Sequence, residues 1–251
     1  MQALTFTLSG KTAFFKKPDV NSYSYFTYGQ LHKVVLLGMF GAILGYNGYG
    51  QKRWKQVKKG DPLTEEYPEF YEKLKHVKIS IIPRNKKGYI PKKSQSFNNS
   101  VGYASAERGG NLIIKEQWLE GPIWDIYVML DCEEANNLAE SLLKNKCVFI
   151  PYLGSNDHPA DIRDVQKIEI EPTVCNEERL ACMFPKSFGE IYVTDDDEDD
   201  EKGFKYEERL PIRLNGYTNL YEYEKFCYTN FLVRITNEPV FRCGDKKLVF
   251  Y

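Results

Sequence analysis

The sequence has few metal-binding residues and no apolar run long enough to cross a membrane. It contains three histidines, and its six cysteines include no Cys-x-x-Cys pair, so the usual ligand pattern of a zinc site is missing. The apolar stretch Val34–Tyr46 spans about 13 residues, whereas a membrane-crossing helix needs about 20. The N-terminus lacks the basic segment and apolar core of a secretory signal. We therefore expect a cytoplasmic protein with reduced cysteines, no metal and no cofactor.

Charge is divided unevenly along the chain, although the formal net charge is −1. Residues 1–120 carry 19 Lys and Arg against 9 Asp and Glu, whereas residues 121–251 carry 15 against 26. A basic half is typical of a protein that binds a polyanion, although the two halves could instead attract each other. Aromatic residues make up 14% of the chain, which suits either β-rich structure or a surface that stacks bases.

The pattern of apolar residues predicts an α+β fold. The first 45 residues predict a strand (4–15), a polar loop rich in tyrosine (16–28) and a helix with several glycines (30–45). Further strands are predicted at 77–83, 112–118, 123–130 and 147–153, and further helices at 61–76 and 133–145. The remainder of the chain predicts short strands and turns.

A basic segment interrupts the predicted strands. Residues 84–93 carry five positive charges and no negative charge, and the periodicity is lost from 84 to 110. Such a long excursion between two strands favours a binding function, since lysines neutralise phosphates and Tyr89, Phe97 and Tyr103 can stack on bases. A solvated loop without a binding role is the alternative.

The first 45 residues resemble the start of one protein family in the order of their elements and in their residues. These elements are the strand Leu4–Phe15, the loop Lys16–Tyr28 and the helix Gln30–Gly45. This is Cas family five, the subunit of the RAMP superfamily that binds the 5′ handle of the guide RNA in type I CRISPR effector (Cascade) complexes. The turn Leu153–Asp157 resembles a family stretch as well. The type I-B branch fits best, because the basic insertion and this turn are present and the cleavage residues of the type I-C branch are not.

The resemblance implies a fold and a set of partners. It implies a ferredoxin-like domain at 1–160 with a basic thumb hairpin inserted at 84–110, followed by a smaller β-rich region at 161–251. The chain would hold the guide RNA by its 5′ handle and cap the backbone of an antiviral complex. It would contact the backbone subunit and the large subunit that reads the PAM, and it would meet target DNA only indirectly. No membrane partner is expected.

The candidate RNA-binding residues combine the basic and aromatic positions with the roles that the resemblance implies for the loop and the thumb. They are Lys16, Lys17, Tyr23, Tyr25, His32, Lys33, Lys52, Arg53, Arg84, Lys86, Lys87, Tyr89, Lys92, Lys93, Phe97, Tyr103 and Arg108. No catalytic residue is predicted. Two alternatives stay open, namely a metal-free endoribonuclease that uses His32, Lys33 and nearby tyrosines, and a stand-alone protein that binds single-stranded RNA.

Two other polar stretches are interpreted as structural. Asp157 and His158 could suggest catalysis, but neighbours in sequence seldom face each other, so the stretch predicts a turn. The acidic run 195–201 lacks the alternating ligands and the glycine of an EF-hand, and it predicts a solvated loop that points away from RNA.

Overall fold

The computed structural model describes residues 1–19, 24–52, 64–98, 100, 102, 106, 108, 111–192 and 203–251. The helices in these ranges are α1 (Lys33–Leu44), α2 (Glu69–Leu74) and α3 (Glu133–Leu143). The strands in the same ranges are β1 (Gln2–Ser9), β2 (Thr12–Ala13), β3 (Ile79–Pro83), β4 (Lys92–Asn98), β5 (Ile113–Glu120), β6 (Ile123–Met129), β7 (Asp161–Glu169), β8 (Glu171–Thr173), β9 (Phe184–Pro185), β10 (Gly189–Tyr192), β11 (Lys205–Leu214), β12 (Tyr221–Thr229), β13 (Leu232–Ile235), β14 (Val240–Cys243) and β15 (Lys246–Val249). The prediction of an α+β fold is confirmed. None of these helices is long and apolar enough to cross a membrane.

The largest sheet has four antiparallel strands in the order β3-β6-β1-β7. The first strand of the chain lies in its interior, where Ala3 is opposite Met129 on β6 and Ile168 on β7. Because β7 pairs with β1 along its length, this sheet extends beyond residue 160. Along the chain its elements follow the order strand, helix, strand, strand, helix, strand, with α2 and the insertion as additions.

The two faces of this sheet pack against different parts of the chain. Leu4, Phe6 and Leu8 alternate along β1 onto the face covered by the helices, and the Phe6 ring meets the edge of Phe40 on α1 with centroids 6.3 Å apart. Ala3 and Met129 lie in a second core with buried residues of the C-terminal strands. The sheet is therefore held between helices on one face and β structure on the other.

Helix α1 is apolar on almost every side because other elements surround it. Buried side chains such as Leu36, Leu37 and Phe40 pack into the main core, which also includes residues of α2, α3 and β11. A Cβ atom on Gly41 would lie 2.5 Å from the Cβ of Phe70 on α2. Gly41 therefore allows α1 to approach another helix, α2, closely.

Strand β4 of the basic insertion forms a hairpin with β5, which follows the insertion in sequence. Strand β4 pairs antiparallel with β5, and β5 pairs on its other edge with β2. Side chains alternate along both strands between more exposed and less exposed positions, which is typical of a ribbon with little core of its own. Residues 92–98, where the sequence showed no periodicity, are thus ordered by pairing with β5.

Two local predictions are wrong. The stretch 147–153 predicts a strand, but Val148 and Phe149 donate their backbone N–H groups to the carbonyls of Ile43 and Ala42, which closes the end of α1. The helix predicted at 61–76 is shorter, because α2 begins after Pro68, and a residue that precedes proline is disfavoured in helical conformation. Residues 61–63 of that prediction lie outside the described residues.

The C-terminal part forms three small sheets. Their strand orders are β10-β13, β11-β12-β9 and β15-β14-β8. The β11-β12 ribbon packs toward α1, and Leu210, Leu214 and Phe226 join the core beneath it. The acidic run 195–201, which predicts a solvated loop, lies outside the described residues.

Candidate nucleic-acid interface

The loop after β2 folds back and lies beside the hairpin. Lys16 and Thr27 form an antiparallel bridge, and the Lys17 N–H donates to the Phe26 carbonyl at 2.8 Å. The Tyr25 N–H donates to the Lys115 carbonyl on β5 at 2.8 Å, and Tyr25 accepts from the Gln117 N–H at 2.9 Å. The loop and the insertion, which are predicted separately to bind RNA, are therefore one hydrogen-bonded surface.

Lysines and tyrosines are interleaved on this surface. The Lys16 ammonium lies 3.6 Å from the centre of the Tyr25 ring, and the Lys17 ammonium lies 5.3 Å from the centre of the Tyr28 ring. Tyr28 is buried, and burial together with its hydrogen bond to the Tyr223 hydroxyl raises its pKa, so its phenol stays neutral. Lys16 is exposed, and Lys17 and Tyr25 are partly exposed, so a ligand can reach these three side chains.

Lys92 of β4 adds a positive charge from the hairpin near the loop lysines. Burial is the main cause of its lowered pKa; the Glu208 carboxylate acts against the shift and the nearby positive charge of Lys17 adds to it. Two cations held close together repel each other, and a bound phosphate would relieve this repulsion. Lys92 therefore adds a positive charge in the neighbourhood of Lys17, with the Glu208 carboxylate also nearby.

Lys93 and Phe97 lie on the opposite face of the hairpin from Lys92. The Lys93 ammonium is 3.4 Å from a carboxylate oxygen of Glu120 and 5.8 Å from the Trp118 ring. Phe97 is opposite Ile114. The hairpin therefore presents basic side chains on both faces, and its aromatic side chains, Phe97 and Trp118, lie on the face of Lys93.

The root of the hairpin is fixed by buried polar contacts. Gln30 is fully buried; its amide nitrogen donates to the Gly88 carbonyl, and its oxygen accepts from the Trp124 indole at 2.8 Å. Gly88 has φ 72°, and a Cβ atom there would lie 2.7 Å from the Tyr228 ring. The surrounding structure therefore accepts only glycine at this point without strain.

Two further side chains attach the surface to the rest of the protein. The Glu208 carboxylate of β11 accepts from the Gly29 N–H at 2.9 and 3.1 Å and from the Tyr206 hydroxyl at 2.7 Å. His158 is buried, its Nδ1 lies 2.6 Å from the Thr12 hydroxyl, and its ring meets Trp118 of β5 edge-on at 4.7 Å. The turn that contains His158 therefore supports the hairpin, in line with its structural interpretation.

His32 is not part of this surface. Its side chain is 2% exposed, and its Nδ1 accepts from the Val35 N–H at 3.4 Å, which caps the start of α1. Burial lowers its pKa to about 3, so the ring is neutral. His32 thus has a structural position between aromatic rings, and Lys33 lies in a separate cavity that also contains Lys75 and His76.

The remaining predicted residues are divided between the insertion and other parts of the chain. Arg84 lies 3.7 Å from the Asp125 carboxylate, Lys86 and Lys87 form a short turn at the hairpin root, and Tyr89 is 62% exposed. Lys52 is bound to Glu66 and to the Tyr67 carbonyl, ahead of α2. Arg108 is exposed. The residues outside the described ranges are Tyr23, Arg53 and Tyr103.

The sequence did not predict a role for Lys115 and Trp118 of this surface, nor for the buried Gln30 that fixes the root of the hairpin. The sequence predicts strand β5 but not its pairing with β4 and with the loop. Gln30 carries no local signal, because its role depends on Gly88 and Trp124. Among the described residues, no group of three His, Cys, Asp or Glu side chains could hold a metal ion.

Comparison with solved structures identifies relatives of the fold. A CRISPR protein from Archaeoglobus fulgidus superposes with a TM-score of 0.54 at 11% identity, over 99% of this chain and 98% of that chain. A chain of a CRISPR RNA-guided surveillance complex gives a TM-score of 0.48 at 16% identity, over 92% and 91%. No protein-family model matches the sequence, and no curated protein matches it. The first likeness shows a common fold over the full length.

Proposed function

We propose that this chain is a CRISPR-associated RNA-binding subunit that holds the 5′ handle of the guide RNA in a type I effector complex. The observation that carries the proposal is the docking of the Tyr25 backbone on β5, which joins two basic and aromatic segments into one surface. The fold shared with an archaeal CRISPR protein supports it, as does the resemblance to Cas family five, type I-B branch.

Within this proposal, the sheet β3-β6-β1-β7 with α1 and α3 is a ferredoxin-like unit of the RAMP superfamily. Its strand order and the alternation of strands and helices along the chain support this assignment. The hairpin β4-β5 is the thumb. Residues 161–251 form the β-rich region, whose first strand, β7, completes the sheet.

The RNA would be held by charge and by stacking. Lys16, Lys17 and Lys92 would neutralise backbone phosphates. The closeness of Lys16 to Tyr25 would allow an unstacked base to lie against an aromatic ring beside a bound phosphate. The exposed rings of Tyr89 and Phe26 extend the surface at its margins. In the complete complex this surface would cap the backbone of subunits, beside the large PAM-reading subunit, in the cytoplasm.

We propose a binding role and not a catalytic one. A metal-free ribonuclease needs a base that reaches the 2′-hydroxyl, and the burial of His32 argues against that role for it. We expect the purified chain to leave a CRISPR repeat RNA intact in the absence of metal ions. Specific cutting within the repeat that persists in EDTA and is lost in a Lys33→Met variant would favour the endoribonuclease alternative instead.

The test of the binding role is to sequence the RNA that co-purifies with the chain when it is expressed with its CRISPR array and partner subunits. The proposal predicts a single repeat-derived 5′ end followed by varied spacers. The variant Lys16→Glu/Lys17→Glu/Lys92→Glu should lose this RNA, and the exposed pair Lys144→Glu/Lys146→Glu, just after the end of α3, should keep it. Recovery of mixed cellular RNA would favour the stand-alone RNA-binding protein.

A further inference from the structure

A basic cavity, separate from the loop-and-hairpin surface, lies at the start of α1, between the end of α2 and strand β11. Its volume is about 480 Å³, which is within the range of small-molecule sites, roughly 300–1,000 Å³. Lys33, Lys75, His76 and Arg213 line it, and Tyr67 and Tyr71 form an aromatic wall. Apart from Lys33, none of these residues was predicted to bind a ligand.

Lys33 is the unusual member of this group. Its side chain is partly buried, and burial, followed by the nearby charge of Lys78, lowers its pKa to about 8. Within the described ranges no carboxylate lies within ion-pair distance of its ammonium group. A partly desolvated cation without a counter-ion is costly, and an anionic ligand would remove that cost.

The other two strong cations of the cavity are already neutralised. Lys75 donates to both carboxylate oxygens of Glu72 at 3.0 and 3.1 Å, and Arg213 is paired with Glu222. His76 is exposed and adds a donor at the rim. The uncompensated charge of the cavity is therefore centred on Lys33, and it suits one anionic group of limited charge.

The aromatic wall is held in place by its own contacts. The rings of Tyr67 and Tyr71 are 5.1 Å apart, and the Lys75 ammonium lies 4.6 Å from the centre of the Tyr67 ring. The Leu214 N–H donates to the Tyr71 hydroxyl oxygen at 2.8 Å. Tyr71 is buried and Tyr67 is partly exposed, so Tyr67 is the ring of the wall that a ligand can reach. A fixed aromatic ring next to an unpaired cation suits a ligand that joins an anion to a flat ring.

We propose that this cavity binds a nucleoside phosphate, with the phosphate at Lys33 and the base against the tyrosine wall. The ligand could be a free nucleotide or the terminal nucleotide of an RNA chain, since both present the same chemistry. The site shares no residue with the loop-and-hairpin surface. Nucleotide binding in this cavity therefore goes beyond the proposed handle binding, and either proposal can be correct without the other.

The test measures the acetylation rate of Lys33 by mass spectrometry in the full chain, with and without AMP, together with calorimetric titration of AMP. We expect AMP to slow the acetylation of Lys33 selectively. Lys33→Met should weaken AMP binding by about tenfold or more, which is the loss of one charge-assisted hydrogen bond. Lys33→Arg should restore most of the affinity, and Lys144→Met, at an exposed site just after α3, should leave it unchanged.

Further probes identify what is recognised. Adenosine should not protect Lys33, and inorganic phosphate should protect it more weakly than AMP. Protection by a 5′-phosphorylated tetranucleotide but not by its 5′-hydroxyl form would assign the source as an RNA end, whereas protection by AMP alone would assign a free nucleotide. The proposal is overturned if AMP leaves Lys33 acetylation unchanged, if adenosine protects equally, or if Lys33→Met binds AMP as the parent does. The protection assay in the parent protein decides the question if Lys33→Met does not fold.

Discussion

The backbone N–H of Tyr25 donates to the carbonyl of Lys115 at 2.8 Å, across 90 residues of sequence. This bond and its return bond from Gln117 attach the first loop of the chain to the edge of β5. β5 is thereby paired with the loop and β2 on one side and with β4 on the other. The arrangement makes the loop a part of the hairpin surface and gives two separate tests of its role.

The first prediction separates the backbone of Tyr25 from its ring. Tyr25→Pro removes the donor and should speed hydrogen exchange at the Gln117 amide, whereas Tyr25→Ala should leave that exchange close to the parent rate. Both variants should weaken guide RNA binding, since one loses the position of the loop and the other loses a stacking ring, worth about 1–3 kcal/mol. Normal RNA affinity in both variants would remove Tyr25 from the interface.

The second prediction concerns the lysines of the insertion. Replacing Lys86, Lys87, Lys92 and Lys93 with Glu should weaken RNA binding and reduce the dependence of affinity on salt, because fewer phosphates are neutralised. A matched variant changes four exposed lysines elsewhere to Glu, namely Lys73, Lys144, Lys146 and Lys167. It should retain more of the RNA affinity and more of the salt dependence. The melting temperature of each variant controls for folding. An equal loss in the two variants would indicate a general charge effect and no specific surface.

The third prediction tests the hairpin root. Gly88→Ala places a methyl group against the Tyr228 ring at a position with φ 72°, so it should lower the free energy of unfolding by about 1–3 kcal/mol. RNA affinity should fall as well, because the root orients the hairpin. Gly50→Ala is the control, since no atom lies within 4 Å of its added Cβ. Chemical denaturation measures both variants, and equal stabilities would contradict the strain at Gly88.

The fourth prediction follows from the buried position of His32. Its folded-state pKa of about 3 lies below the ordinary value of 6.5, so the unfolded chain binds a proton that the folded chain does not. Stability should therefore fall as the pH drops below about 6.5, with a contribution from His32 of about 2 kcal/mol between pH 7 and pH 5.

His32→Asn keeps a capping oxygen but removes the titrating ring, so its stability should change less over this range. Its RNA affinity at pH 7 should match that of the parent once the fraction folded is taken into account. Parallel pH profiles of unfolding for the two proteins would show that His32 is not buried as a neutral ring.

Strong local patterns predicted most of the sheet and its helices. The apolar segments at 77–83, 123–130 and 133–145 match β3, β6 and α3 because their side chains alternate or repeat with the period of the element they form. Strand β7 lies in the stretch 161–251, which the resemblance assigns to a separate β-rich region. Its sequence is highly charged, and only its pairing with β1 shows that it belongs to the first sheet. The strand predicted at 147–153 is wrong because Val148 and Phe149, although apolar, stay exposed. Their backbone N–H groups close the end of α1 instead of pairing in a sheet.

The sequence predicts the residue types of the candidate site, but not the contacts that bring its two segments together. The charges and rings of 16–28 and 84–93 are visible in the sequence, but the contact between Tyr25 and β5 is a long-range backbone bond that no side-chain pattern encodes. His32 resembles a ligand-binding residue until its burial is known. The sequence does not predict the cavity around the neighbouring Lys33, because segments distant in sequence form that cavity.

The most direct test of the shared surface is ultraviolet cross-linking of the guide RNA in the assembled complex, with the cross-linked peptides mapped by mass spectrometry. The account predicts that the handle cross-links to both the loop 24–28 and the hairpin strands, at Tyr25 or Phe26 and at Phe97 or Trp118. Cross-links confined to other parts of the chain, with none in the loop or the hairpin, would contradict the assignment of this surface to RNA.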